Sequence, residues 1–245
     1  MKILFLLFSF AIFFSIESYA QDGDPKATEV WNPVPKVITP GAMSRDAPSD
    51  AIVLFDGKDL SKWTSDKREE PKWQVTDNAF TVEKGSGSIH TKQAFGSCQL
   101  HIEWRSPQEV MDSGQNRGNS GIFLMGQYEL QVLDSYNNVT YSNGQAGSIY
   151  KQYIPLVNAC KPPGEWQTYD VIFTAPEFDA NDMVVFPAKF TVLQNGVLIQ
   201  NNVELKGGTV YIGQPTYKKH NDKEPIMLQD HNCAVSYRNI WIREL

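Results

Sequence analysis

Three short segments of this 245-residue chain place ionisable side chains where an apolar strand would have no use for them. In Glu103-Trp104-Arg105 the two-residue period of an extended strand puts Glu103 and Arg105 on one face and Trp104 on the other. In Tyr128-Glu129-Leu130-Gln131-Val132 the same period sets Glu129 and Gln131 side by side. Gln229-Asp230-His231 falls in a loop ahead of the last strand pattern, where a rigid scaffold can present polar groups. Histidine is the side chain whose ordinary pKa suits proton transfer near neutral pH, which makes acid–base chemistry the first expectation for these segments. Each has a plainer alternative. Glu103 with Arg105, and Glu129 with Gln131, also fit a solvated strand face carrying at most a weak surface ion pair, and Asp-His pairs are common in ordinary loops.

Other motifs point nowhere specific. Asn119-Ser120-Gly121 follows a Gly- and Asn-rich loop, residues 112–118, that fits either a substrate-side loop or a long turn. Asn138-Val139-Thr140 has the form of a glycosylation acceptor, a tripeptide that arises often by chance. Asp56-Gly57-Lys58-Asp59 lacks the alternating carboxylates and closing Glu of a calcium loop and reads as a turn. His90, His101 and His220 have no metal-ligand spacing, and neither a Ser/His/Asp order nor a phosphate-cradling glycine loop stands out. No cofactor is expected, although a divalent ion held by carboxylates and His231 brought together on folding stays open. Trp63, Trp73, Trp104, Trp166, Tyr136, Tyr141, Tyr150 and Tyr153 are numerous for one core, and aromatic faces beside amides and carboxylates suit sugar rings.

The elements that must position these residues are strands. Residues 1–20 begin with Lys2, run through an apolar stretch and end at Ser18-Tyr19-Ala20, the pattern of a cleavable secretory signal, so an exported protein without a stable membrane span is expected. Residues 21–50, with five prolines and no apolar period, read as an extended lead-in to which Trp31 and Val34 offer packing groups. From residue 51 to 245 short strand patterns alternate with turn residues. Gln99–Arg105 alternates as a half-buried strand, Gly147–Tyr153 and Thr209–Gly213 are further candidates, and Asn195-Gly196 marks a type I′ hairpin. About a dozen strands at this spacing imply one all-β domain of two packed antiparallel sheets, a sandwich or jelly roll. The net charge of −6, without a basic cluster, gives no footprint for nucleic acid. Three cysteines allow at most one bridge, and free thiols are expected.

The order of several segments resembles one family. Leu54-Phe55-Asp56-Gly57-Lys58-Asp59-Leu60-Ser61-Lys62-Trp63, Asn119-Ser120-Gly121-Ile122, Glu129-Leu130-Gln131-Val132, the segment 161–170 from Lys-Pro-Pro-Gly to Tyr-Asp, Gln229-Asp230-His231 and Arg238-Asn239-Ile240-Trp241-Ile242 are similar to the 3-keto-disaccharide hydrolase domain family, from about Ile52 to the C-terminus. Asn232 departs from the pattern, which has Gly after the Asp-His pair. The resemblance implies a concanavalin A-like jelly roll whose concave face receives an oligosaccharide or glycoside. It also implies elimination from a 3-keto-glycoside, with a separate oxidoreductase supplying the ketone. Under that reading Glu129 or His231 is the base, Arg105 and Gln131 bind the sugar or enolate oxygen, and Glu103 and Asp230 orient their neighbours. Asn119, Tyr150, Lys151 and Gln229 complete the implied substrate-binding set. A non-catalytic carbohydrate-binding module and an ordinary two-carboxylate glycosidase remain as alternatives.

Overall fold

The alternating segments pair as strands in the computed structural model, which describes residues 23–245. The expected signal segment, residues 1–20, lies outside the described residues. The chain divides into a unit ending at Val37 and a unit spanning Ile38–Leu245. In the first, the described residues are exposed, Trp31 and Val34 included, and form one 3-10 turn, Pro25–Thr28, capped by Asp24. Among the described residues no helix is long and apolar enough to cross a membrane.

The second unit holds two antiparallel sheets. One contains β1 (Ile52–Phe55), β3 (Gln74–Thr76), β4 (Ala79–Thr81), β6 (Cys98–Arg105), β9 (Gln167–Thr174), β12 (Lys189–Gln194), β13 (Val197–Glu204) and β15 (Ser236–Glu244). Its order is β13-β12-β9-β6-β15-β4-β3, with β1 also paired to β15. The other contains β2 (Trp63–Ser65), β5 (Ile89–Phe95), β7 (Ser120–Leu124), β8 (Tyr128–Val132) and β14 (Glu224–Leu228), in the order β2-β5-β14-β7-β8. A small hairpin pairs β10 (Glu177–Phe178) with β11 (Val184–Phe186). Leu100, Ile102 and Trp104 of β6, with Ile122 and Leu124 of β7 and Tyr128, Leu130 and Val132 of β8, belong to one buried core between the sheets. This is the expected all-β jelly-roll sandwich.

Residues 38–50 belong to the sandwich unit, and part of the proline-rich stretch is fixed to it. Ser49 N donates to Thr39 O at 2.9 Å, and Asn239 and Trp241 side chains both donate to Arg45 O, at 3.1 and 2.9 Å. The Asn195-Gly196 turn has φ of 52° and 80°, as a type I′ hairpin requires. Cys98, Cys160 and Cys233 are free thiols.

Strand β6 differs from its half-exposed expectation, because His101 and Glu103 on its outer face are only 1% and 3% exposed. A register shift in β15 between Arg238 and Trp241 turns both Arg238 and Asn239 outward over β6. Arg238 Nε donates to Glu103 Oε2 at 2.6 Å and Asn239 Nδ2 to Glu103 Oε1 at 2.9 Å. His101 stacks on Trp241 at 5.4 Å and its Nδ1 meets Asp170 Oδ1 at 2.7 Å. Burial opposes charge on both His101 and Glu103, but their hydrogen bonds and mutual attraction prevail, moving His101 up to about 9 and Glu103 down to about 2. The His101 contribution is fully present below its unfolded value near 6.5 and is lost as pH rises through about 9. The expected outcome is that the stability difference between wild type and His101→Gln shrinks by about 2–3 kcal/mol from pH 6.5 to 9.5, measured by denaturant unfolding. A difference independent of pH would show that His101 is not charged in the fold.

Candidate active site

Period-2 alternation that buries Ile122, Leu124, Tyr128, Leu130 and Val132 turns Gly121, Phe123, Glu129 and Gln131 to the opposite face of β7 and β8. Register pairs Gly121 with Gln131 and Phe123 with Glu129. There Phe123, Glu129 and Gln131 line a pocket of about 490 Å³. Two segments wall it. Gly147 to Tyr150 runs along the free edge of β8, with Gln131 N donating to Ser148 O at 3.0 Å and Tyr150 N to Glu129 O at 3.3 Å. Thr209 to Tyr211 closes the adjoining stretch, Thr209 N donating to Gln127 O at 2.8 Å and Glu129 N to Thr209 Oγ1 at 3.0 Å. Both segments were expected as strands; they bond to β8 at isolated positions only, so they cover its edge without forming a continuous ladder.

Glu129 is 4% exposed although its strand face points away from the core. Its carboxylate lies over Gly121, where a Cβ would stand 2.8 Å from Glu129 Oε1 and 2.6 Å from Phe123 Cε2. Only a residue without a side chain permits this approach. Among the described residues no cation stands within ion-pair distance of Glu129. Burial alone pushes it up to about 8. Its close partner is the Gln131 amide. With Nε2 toward Glu129 it donates to Oε1 at 3.0 Å and to Ser120 O at 3.1 Å, serving the ionised carboxylate.

The surroundings are polar amides and phenols. Asn119 Nδ2 donates to Gln115 O at 2.6 Å, and Gln115 Nε2 to Gly144 O at 2.9 Å, which fixes the 112–118 loop over Gln131. Arg117, paired to Asp134 at 2.7 Å, anchors the same loop. The Tyr141 and Tyr150 hydroxyls lie 2.7 Å apart. Burial, the Tyr141 hydrogen bond and the nearby Glu129 charge all raise the Tyr150 phenol, which therefore keeps its proton at neutral pH.

Of the residues singled out in the sequence, Glu129, Gln131, Asn119, Tyr150, Gln229 and His231 line this pocket, and Lys151 lines the cavity beside it. Glu103 and Arg105 do not. They stand on the outer face of the eight-stranded sheet, with Trp166 4.6 Å from the Arg105 guanidinium, so the thickness of the sandwich separates them from Glu129. Asp230 is also turned from the pocket: its carboxylate accepts from Gly87 N at 3.0 Å and Asn232 N at 2.9 Å, stapling the loop that presents Gln229 and His231. Asn232 adopts φ of 58°, a left-handed conformation that Asn tolerates, and so fills the glycine position of the family pattern. Asn138 is 8% exposed and its amide donates to Gly114 O and Asp134 O, which closes it to modification in the folded state. Phe123, Gln115, Asn116, Tyr141, Thr209 and Tyr211 line the pocket without having been singled out as site residues; Tyr141 and the 112–118 loop carried the only sequence signal. Among the described residues no three His, Cys, Asp or Glu side chains gather at metal-holding distance.

A carboxyl group held at about 8 destabilises the fold as pH rises. Between the unfolded value near 4.5 and about 8 the native state binds the proton that the unfolded chain has released, so stability falls across that window. Glu129→Gln removes the titration. Its stability relative to wild type is expected to grow between pH 4.5 and 8 by on the order of 2–4 kcal/mol, and then to level off. Thermal unfolding at matched pH values measures this, and a flat difference would place the carboxyl group at an ordinary pKa.

Residues 50–243, most of the chain, match the model of the 3-keto-alpha-glucoside-1,2-lyase-like domain. A solved protein of Parabacteroides distasonis, assigned as a glycosyl hydrolase, is 53% identical with a TM-score of 0.87, over 91% of this chain and 97% of that one. Two further structures from that organism, assigned in the same way, share the fold at 20% and 21% identity and TM-scores of 0.59 and 0.55. Each covers 80% of this chain, and they are matched over 94% and 99% of their own length. No curated protein matches the chain. With the strand order, the pocket on β7 and β8 and the matched span in agreement, the chain belongs to the 3-keto-alpha-glucoside-1,2-lyase-like domain family.

Proposed function

We propose that this protein cleaves 3-keto-glycosides by elimination followed by hydration. The observation that carries the proposal is a single carboxylate: among the described residues Glu129, buried and raised to about 8, has no cation partner, and no second Asp or Glu lines the pocket. An ordinary retaining or inverting glycosidase needs two carboxyl groups about 5–9.5 Å apart, and elimination needs one strong base. A ketone at C3 makes the C2 proton acidic. Glu129 takes that proton, the electrons form the C1–C2 double bond, and the C1 oxygen leaves with its bonding pair. Water then adds, its oxygen to C1 and a proton to C2.

The remaining groups divide the work. Gln131 donates its amide nitrogen to the ionised base and so steadies Glu129 in the form that takes the proton. His231, exposed at the rim, and the protonated Tyr150 serve as donors to the enolate and departing oxygens. The C3 ketone comes from a separate oxidoreductase, and the signal-like residues 1–20 set the reaction outside the cytoplasm.

The test is incubation with matched pairs of glycosides and 3-keto-glycosides bearing a chromogenic aglycone. Release from the keto substrate alone is expected; release from the unoxidised partner would replace this reading with a two-carboxylate glycosidase, and saturable binding without product with a binding module. Glu129→Gln is expected to lower kcat by about 10²–10⁴-fold. Because the base must be ionised, kcat/KM should climb with pH and reach half its plateau near pH 8. A profile flat from pH 5 to 9 would remove Glu129 from the role.

A further inference from the structure

Beside the Glu129 pocket lies a second cavity of about 460 Å³ that shares Tyr141, Tyr150 and Tyr211 with it. Lys151 is the one charged residue lining this second cavity. Its ammonium lies 4.1 Å from the centre of the Tyr211 ring and 5.7 Å from those of Tyr141 and Tyr150. Nζ donates to Tyr211 O at 2.6 Å. No carboxylate stands within ion-pair distance of it among the described residues.

An ammonium carries three donors, and one carbonyl occupies one of them. The side chain is exposed, and its backbone is in a conformation that few residues adopt without cause. Most non-glycine residues with positive φ here are Asn or Asp; Lys151, at 58°, is one of three that are neither. The strained backbone is held by Lys151 N donating to Asn143 O at 2.8 Å, and Gln152 pins the facing loop through Gly207 O and Lys206 N. Three phenol rings around a cation that has no carboxylate partner among the described residues fit a ring with an apolar face and one anionic substituent. The net charge of −6 does not forbid this, since charges beyond about 8 Å are screened at physiological salt.

We propose that this cavity is the leaving-group subsite and that it selects a hexuronic acid, the Lys151 ammonium meeting the uronate carboxylate while Tyr141 and Tyr211 cover the ring. The proposal rests on the lyase reading only for the word leaving group. With the attacked sugar over Glu129, the glycosidic oxygen lies toward Tyr150, the wall the two cavities share, and the next ring enters the Lys151 cavity.

The experiment compares two 3-keto-glycosides that differ only in the leaving ring, glucuronic acid against glucose, in wild type, Lys151→Gln and Lys151→Arg. Wild type is expected to favour the acidic leaving group by roughly tenfold in kcat/KM, Lys151→Gln to bring the ratio close to one, and Lys151→Arg to keep most of it. The wild-type ratio should also fall as salt is raised. Equal kcat/KM for both substrates in wild type, or a ratio unchanged in Lys151→Gln, overturns the subsite while leaving the lyase reading intact. If neither keto substrate is cleaved the lyase reading fails, and titration calorimetry with the unoxidised disaccharides decides the subsite alone. Tighter binding of the uronate in wild type but not in Lys151→Gln sustains it, and equal binding overturns it.

Discussion

One contact sets the chemistry of this protein: a carboxylate laid against a strand that has no side chain beneath it. Gly121 leaves room for Glu129 and the Phe123 ring on the outer face of β7, and a methyl group there would collide with both. Because that space is walled by residues 147–150 and 209–211, the carboxylate is largely shielded from water, and no cation among the described residues pairs with it. A carboxylate so placed is a stronger base than a solvated one, and the cost appears as lost stability at alkaline pH. Under the proposed elimination the same trade stands in for the second carboxyl group on which a two-carboxylate glycosidase relies.

The sandwich holds that contact in place from behind. Two buried tyrosines cross from the eight-stranded sheet to the site: Tyr169 donates to Gln131 O at 2.8 Å, and Tyr237 to Ser120 Oγ at 2.7 Å, which in turn donates to Gln229 O at 2.6 Å. Tyr169 thus holds the carbonyl of Gln131, the partner of Glu129, and Tyr237 reaches through the Ser120 hydroxyl to that of Gln229, which leads to His231. On the far face, the Glu103, Arg238 and His101 network pins β6 to β15, the central strands that carry or neighbour those tyrosines. A charged cluster remote from the pocket thus contributes rigidity, while the pocket carries a buried acid that has no cation partner among the described residues.

The fold was largely legible because short alternating segments separated by turn residues admit few alternatives to a sandwich. β5 and β14, central to the site's sheet, were not: β5 alternates weakly after Ile89 and Thr91, and Pro225 inside β14 reads as a breaker. The site was legible in part for a related reason. Period-2 spacing states which side chains share a face of a strand, so Glu129 and Gln131 were rightly paired. It cannot state which sheet the strand joins. Glu103 and Arg105 carry the same signal and lie on the opposite side of the molecule. Asp230 shows a second limit, since a carboxylate in a polar loop serves equally as a ligand or as a staple for backbone N–H groups. Tyr211 reaches the pocket through tertiary placement that spacing does not encode.

The central claim is that a proton leaves C2 and returns there. It is tested most directly by running the reaction on a 3-keto-glycoside in D2O and locating deuterium in the released keto-sugar by NMR. One deuteron at C2 of every product molecule, already present at the earliest times, is the result required by elimination and hydration. Retention of the original hydrogen at C2 would mean direct displacement at C1, and would remove Glu129 from the role of C2 base.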